Sequence, residues 1–229
     1  LTKINSNYYI LILQSNKINI DLATISKFSS ISLPKINTLE RNNWQILWSN
    51  MIDYYETQIG ENSKKYPLIR ESFDYFIGLA ENAISYLTYT KKETPKTIYD
   101  NKVLSHNNLY HSLEDPLNII IDHKSRDLAE YIKISFFNNN KNIFQELDNY
   151  FYYQKYSDYG IRVLFSRILY PSFYFKIYND IIQGIIKEKE LNSIINNIDK
   201  YEIYIYKIYI YLKKYSNLPP VEWLKKTKN

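Results

Sequence analysis

The chain has 229 residues, with 29 Lys and Arg against 24 Asp and Glu, a formal charge of +5 and no cysteine. That length predicts one ordinary domain, or one large lobe of a domain, with a full hydrophobic core, and the lack of cysteine excludes disulfides and thiolate metal sites. Basic and acidic residues are interspersed without an arginine-rich block, so the excess charge reads as a solvated surface rather than a nucleic-acid face.

No uncharged run approaches the roughly 18 residues of a membrane span, and no signal-peptide pattern is present, which predicts a soluble intracellular protein. The sequence starts at Leu1 and therefore reads as an incomplete product. Twenty-five tyrosines against four glycines, with heavy use of Asn, Lys and Ile, reflect first an AT-rich coding bias. Tyrosines of this kind belong in the core and on half-buried helix faces, where the ring is covered and the hydroxyl reaches water.

Tyr8 to Leu13 is a short apolar run between Asn-rich flanks, the pattern of a buried strand. Asp21 is placed to cap a helix through Ser29, on which Leu22, Ala23, Ile25 and Phe28 are apolar. Ser30 to Asn43, with Pro34, reads as a linker. A helix follows from Trp44 to Ile59, with Trp44, Leu47, Trp48, Met51, Ile52 and Tyr55 at intervals of three and four. Tyr66-Pro67 breaks the chain before a second helix, Ile69 to Thr90, whose stripe runs from Phe73 through Phe76, Leu79, Ala80 and Ala83 to Leu87. Gly78 and Ala80 leave room for another helix. Beside that stripe, Glu81 and Asn82 read as structural residues that hold the loop at residue 106, in preference to catalytic ones.

The stretch from Leu104 to Lys133 contains all three histidines, His106, His111 and His123. It runs from a turn-forming His106-Asn107-Asn108, through an apolar strand ending in Asp122, to a helix that opens at Asp127 and continues through Ile134. Asp127 is read as the N-cap of that helix. The histidines with Asp122 and Asp127 are also candidate zinc or iron ligands, but their spacing matches no compact metal motif, and structural or phosphate-facing roles are preferred. His106 on its own reads as a loop histidine bonded to backbone.

Further helices are expected over Ile143 to Tyr156, Ile161 to Tyr170, Phe173 to Ile186 and Leu191 to Ile198. Arg162, Ser166 and Arg167 fall on the polar side of the second; the arginines either pair with acids inside the lobe, the preferred reading, or reach an acidic substrate or phosphate. Tyr201 to Tyr215 has high β propensity, yet Lys200, Lys207 and Lys214 fall on one line of a helix, which predicts a buried helix. Pro219-Pro220 ends it, and Trp223-Leu224 is expected to fold back as an anchor.

Ser105 to Leu109 and Ile119 to Asp122 resemble, in order and spacing, two loops of the protein kinases and of the aminoglycoside and choline kinases. The resemblance implies that His106 and Asn108 stand in the catalytic loop and that Asp122 binds Mg²⁺ and, through it, ATP. It departs from the pattern at Asn108, which replaces the general-base carboxylate, and at Leu113, which stands where the family has a metal-binding Asn. Four further segments, Phe76–Leu87 (FIGLAENAISYL), Ser125–Ile132 (SRDLAEYI), Arg162–Pro171 (RVLFSRILYP) and Val221–Leu224 (VEWL), resemble the kinase-like spore coat proteins of the YutH and CotS group.

This likeness implies an α+β, mainly α, protein-kinase-like fold. Residues 1–30 would then be the hinge strand and helix of a small lobe whose glycine-rich loop and lysine lie upstream of Leu1, and residues 31–229 the helical large lobe. It also implies a product of spore-forming Firmicutes found in the mother-cell cytoplasm and then the spore coat, with coat proteins as partners. The leading expectation is a spore-coat pseudokinase that acts by binding. The alternatives are an active ATP-dependent phosphotransferase on a small molecule or coat protein, with Asp122 on Mg²⁺ and a carboxylate such as Glu114 or Asp115 as base, and a helical interaction module without nucleotide. Acceptor and oligomeric state are not legible.

Overall fold

In the computed structural model, residues 2–5, 8–10, 20–34, 37–109 and 115–225 are described. Two short strands, β1 (Thr2–Asn5) and β2 (Tyr8–Ile10), pair antiparallel with a register shift between Lys3 and Asn5. The expected strand at Tyr8 is therefore present through Ile10, and its last three residues lie outside the described ones. Helix α1 (Leu22–Ser29) starts where expected, because the Asp21 carboxylate accepts from Thr24 N at 2.6 Å and satisfies a first-turn amide.

The linker contains a 3₁₀ turn (Asn37–Leu39) and an isolated bridge from Glu40 to Ile121. Helix α2 (Trp44–Asn62) opens after Asn43, which holds a left-handed φ of 55° that asparagine tolerates. Helix α3 (Pro67–Glu93) places Pro67 in its first turn, where no amide is needed. Its next two amides, on Leu68 and Ile69, donate to the Glu188 carboxylate at 2.7 and 3.2 Å, a cap supplied from 120 residues away. Glu81 and Asn82 are both exposed on α3, and Asn82 donates to Gly78 O in its own helix. Among the described residues neither bonds the 106 loop, because both lie on the exposed face of α3, opposite its buried stripe.

Strands β3 (Lys102–His106) and β4 (Ile119–His123) form the second hairpin, antiparallel, with Val103 opposite Asp122 and His106 opposite Ile119. Helix α4 (Ser125–Phe137) leaves β4 after one residue, and α5 (Ile143–Tyr153) and α6 (Asp158–Leu169) follow. Ser157 caps α6 by accepting from Gly160 N at 2.9 Å. Helix α6 is the centre of the molecule: every residue from Tyr159 to Leu169 except Arg162 is buried, between α3 on one side and α4 on the other. Ser166 and Arg167 are therefore not on a solvated polar side; the polar stripe of α6 narrows to Arg162, which pairs with Asp158 at 2.9 Å and donates to Asn217 O.

Helix α7 (Ser172–Ile182) is shorter than its apolar pattern. Gly184, at φ +73°, stops it: Gly184 N donates to Ile181 O and Ile185 N to Asp180 O, the paired bonds of a Schellman end. A 3₁₀ turn (Glu188–Leu191) and the one-turn α8 (Asn192–Ile195) lead to α9 (Ile198–Leu212). The lysine line is the correct guide there: Lys200, Lys207 and Lys214 are exposed, while Tyr201, Ile205, Ile208, Tyr209, Tyr211 and Leu212 are buried. Helix α10 (Glu222–Lys225) returns the chain to the core through Leu224 and Trp223, the expected anchor.

Aromatic stacking joins these helices. Phe76 of α3 lies on Tyr174 of α7 with centroids 3.9 Å apart, Tyr55 of α2 lies on Phe175 at 4.6 Å, and Phe173 meets Tyr201 of α9 edge-on at 5.0 Å.

Candidate functional site

Asp122 sits one residue before the end of β4 and is 1% exposed. A carboxylate so placed needs partners, because an uncompensated buried charge costs several kcal/mol, roughly. It has four donors. Trp44 Nε1 reaches Oδ1 at 2.8 Å from the start of α2, and His123 N reaches the same oxygen at 2.6 Å. Arg126 Nη1, from the first turn of α4, reaches Oδ2 at 3.2 Å, while Arg167 Nη2 of α6 spans both oxygens at 2.8 and 2.9 Å. Trp44 also carries both guanidinium groups, with Arg126 4.5 Å and Arg167 4.7 Å from its ring centroid. One carboxylate thus ties β4 to α2, α4 and α6. Burial lowers the Arg167 pKa, and Asp122 acts against that.

The second expected site residue, His106, ends β3 and is buried. Its Nδ1 lies 2.7 Å from Asp127 Oδ2, its backbone N donates to Asp127 Oδ1 at 3.0 Å, and its ring stacks on Phe28 of α1 at 4.3 Å. Two expectations change here. His106 belongs to a strand rather than to a loop, and its Nδ1 meets a carboxylate. Asp127 is not an N-cap: α4 begins two residues earlier, at Ser125, and turns the Asp127 side chain across to β3. Arg126 completes the clamp, donating from Nε to His106 O and from Nη2 to Asn107 O, each at 2.8 Å.

Asn108 is positioned by Asn118, a residue that sequence reasoning passed over. Asn108 N donates to Asn118 Oδ1, and Asn118 Nδ2 donates back to Asn108 O, each at 2.8 Å. The Asp115-Pro116-Leu117-Asn118 turn ahead of β4 was the available signal for it. Asp115, an expected substitute base, instead accepts from Leu117 N at 2.9 Å within that turn; Glu114, Leu113 and His111 lie outside the described residues. His123 is apart from His106: its Nδ1 lies 2.8 Å from Ser125 Oγ and its Nε2 3.6 Å from Asp100. Among the described residues no three His, Asp or Glu side chains are grouped to hold a metal.

A cavity of about 370 Å³ opens in front of this cluster, between α2, α4, α6 and α7. Trp48 and Tyr170, stacked 4.4 Å apart, form an aromatic wall, and Arg126, Arg167, Lys133 and Lys176 a basic one. A smaller recess of about 210 Å³ beside Asn107, Asn108 and Leu109 shares Arg126, Glu130, Ser172 and Lys176 with it. Lys133, buried in α4, is held by Glu130 at 2.7 Å, Ser172 Oγ at 2.6 Å and the carbonyls of Arg167 and Tyr170 at 3.1 Å. Burial pushes the Glu130 carboxyl up, but Lys133 and Ser172 outweigh it and keep the group ionised.

Mg²⁺ needs oxygen ligands with free lone pairs and tolerates no neighbouring cation in its shell. At Asp122 both oxygens already accept from guanidinium groups. This donor set is that of a buried ion cluster and does not fit a divalent metal.

The family described as "Spore coat putative kinase YutH" matches the chain over residues 6–208. The endospore coat-associated protein YutH of Bacillus subtilis (strain 168) is 28% identical over 210 residues, 80% of this chain and 61% of that protein, so the chain spans about three fifths of that relative's length. No solved structure matches it. No helix among the described residues is long and apolar enough to cross a membrane. With the family matched over most of its length, the chain belongs to the YutH spore coat family.

Proposed function

We propose that this chain is a spore-coat-associated pseudokinase that acts by binding, reaching the coat from the mother-cell cytoplasm and meeting coat proteins there. The coat association rests on the family and on the Bacillus subtilis relative. The loss of phosphotransfer rests on one observation above the others: Arg126 and Arg167 neutralise Asp122, the carboxylate that would otherwise carry Mg²⁺. Asn108 agrees with this, since an amide cannot take up the proton of an acceptor hydroxyl. His106 then serves to hold the end of β3 against α4, and the cavity in front of the cluster is the binding surface.

Thermal unfolding of the full-length protein with and without ATP and Mg²⁺ tests the reading. A ligand at about 100 times its dissociation constant adds roughly 2.7 kcal/mol. We expect no Mg²⁺-dependent shift in the natural protein or in Asn108→Asp. A Mg²⁺-dependent shift that Asp122→Ala removes overturns the pseudokinase reading in favour of an active phosphotransferase. A fluorescent fusion that stays diffuse through sporulation overturns the coat association.

A further inference from the structure

We infer that the cavity beside Asp122 binds a small oxyanion directly on its basic wall, through Arg167 and Lys176, without a divalent metal. The inference deepens the binding role proposed above and rests on it. Around the cavity four basic side chains, Arg126, Lys133, Arg167 and Lys176, face a single acidic one, Glu130. Asp122, which balances two of them, is 1% exposed and is not among the residues that line the cavity, so the lining itself carries more basic than acidic side chains.

The four cations are not equally committed. Arg126 spends Nε and both Nη atoms on Asp122, His106 O and Asn107 O. Lys133 is spent on Glu130, Ser172 and two carbonyls. Arg167 is different: it is 5% exposed, uses Nη2 on Asp122, and its buried Nε has no hydrogen-bond partner among the described residues. A buried guanidinium N–H without an acceptor is rare and needs one. Lys176 has one partner, Asp180 at 2.7 Å, with its side chain 40% exposed, which leaves ammonium protons for a ligand.

A planar fork and a flexible ammonium together suit the oxygens of a phosphate or carboxylate. The stacked pair Trp48 and Tyr170 supplies a flat apolar surface for the body that carries the anion, and about 370 Å³ is room for a small organic molecule. The arginines that exclude Mg²⁺ from Asp122 are thus the groups that would receive an anion in its place.

The test is thermal unfolding of the full-length protein in EDTA at constant ionic strength, with phenyl phosphate, benzoate and chloride as probes. Phenyl phosphate or benzoate should raise the melting temperature in a saturable way, chloride should not, and added Mg²⁺ should change nothing. The stronger of the two organic probes identifies the anion as phosphate or carboxylate. Lys176→Gln should weaken binding about tenfold with little effect on the unliganded melting temperature, and Arg167→Lys, which keeps the charge opposite Asp122, should weaken it at least as much. No saturable shift with either organic anion, or a shift indifferent to Lys176→Gln, overturns the inference while the pseudokinase reading stands. Binding that appears only with Mg²⁺ overturns both.

Discussion

The corner where β4 meets α4 and the seam where α3, α7 and α9 meet bury side chains by opposite means. At the corner, Asp122, Arg126, Arg167, Lys133 and Asp127 are nearly inaccessible charges, each held by named partners at hydrogen-bond distance. At the seam, Phe76 stacks on Tyr174, and Phe173 crosses Tyr201 and Phe137 of α4, contacts made through the rings alone. The seam depends on volume and shape, so a substitution that fills the space is tolerated. The corner depends on pairing: loss of one member strands another, and an apolar replacement of the same size does not repair it.

The largest effect should follow from breaking the corner at its hub. Asp122→Ala leaves two buried guanidinium groups without their carboxylate and should cost about 3–5 kcal/mol in urea unfolding, and Asp122→Leu should recover little of it. A gain in stability from either variant would mean that Asp122 is held at a cost for some other purpose. Phe76→Ala at the seam should cost a similar amount, about 3–5 kcal/mol, from the cavity left against Tyr174. There, however, Phe76→Leu should recover most of the loss. That contrast between the two leucine variants is the sharpest check on the comparison.

Asp127→Asn should come next, at about 1–3 kcal/mol, because the amide cannot replace both oxygens that receive His106 N and Nδ1. Amide exchange at His106 and Asn107 should quicken more than exchange in α3. Ser157→Ala, which removes the α6 cap, should lower stability by about 1 kcal/mol. The effect that depends most on pH is that of Asp100. Burial would raise its carboxyl, but His123 and bonds from Ser157 and Thr97 hold it at about 2. The folded group therefore titrates below the unfolded one, so its contribution is complete above about pH 4 and is lost as pH falls toward 2. Asp100→Asn should lower stability at neutral pH, where that contribution is complete, and flatten the acid limb of a stability-against-pH curve, so that variant and natural protein converge toward pH 2.

The seam was legible in the sequence because it is periodic. Trp48, Ile52 and Tyr55 on α2, the stripe from Phe73 to Leu87 on α3 and the lysine line of α9 each announce a helix and its buried face through local spacing. Even there the ends were misjudged where a distant residue or a turn decided them, as Glu188 does for α3 and Gly184 for α7. At the corner, Asp122 and His106 stood out by order and by resemblance, but the residues that define their chemistry did not. Trp44 lies 78 residues from Asp122 and Arg167 lies 45 away, and nothing in the local pattern links them. Asp127 was misread for the same reason: an acidic residue near a helix start looks like a cap until the neighbouring strand is in place.

By itself, the sequence determined the helical architecture, the positions of most helices and the identity of the family, since each rests on patterns within a few turns or on ordered segments along the chain. Only the tertiary structure decided what Asp122 faces. Whether a buried carboxylate meets a metal or a guanidinium depends on which helices pack around it, and α2, α4 and α6 each bring a donor to it from far along the chain. Charge in a low-dielectric interior is satisfied by whatever lies within about 3 Å, and that neighbourhood exists only once the chain has folded.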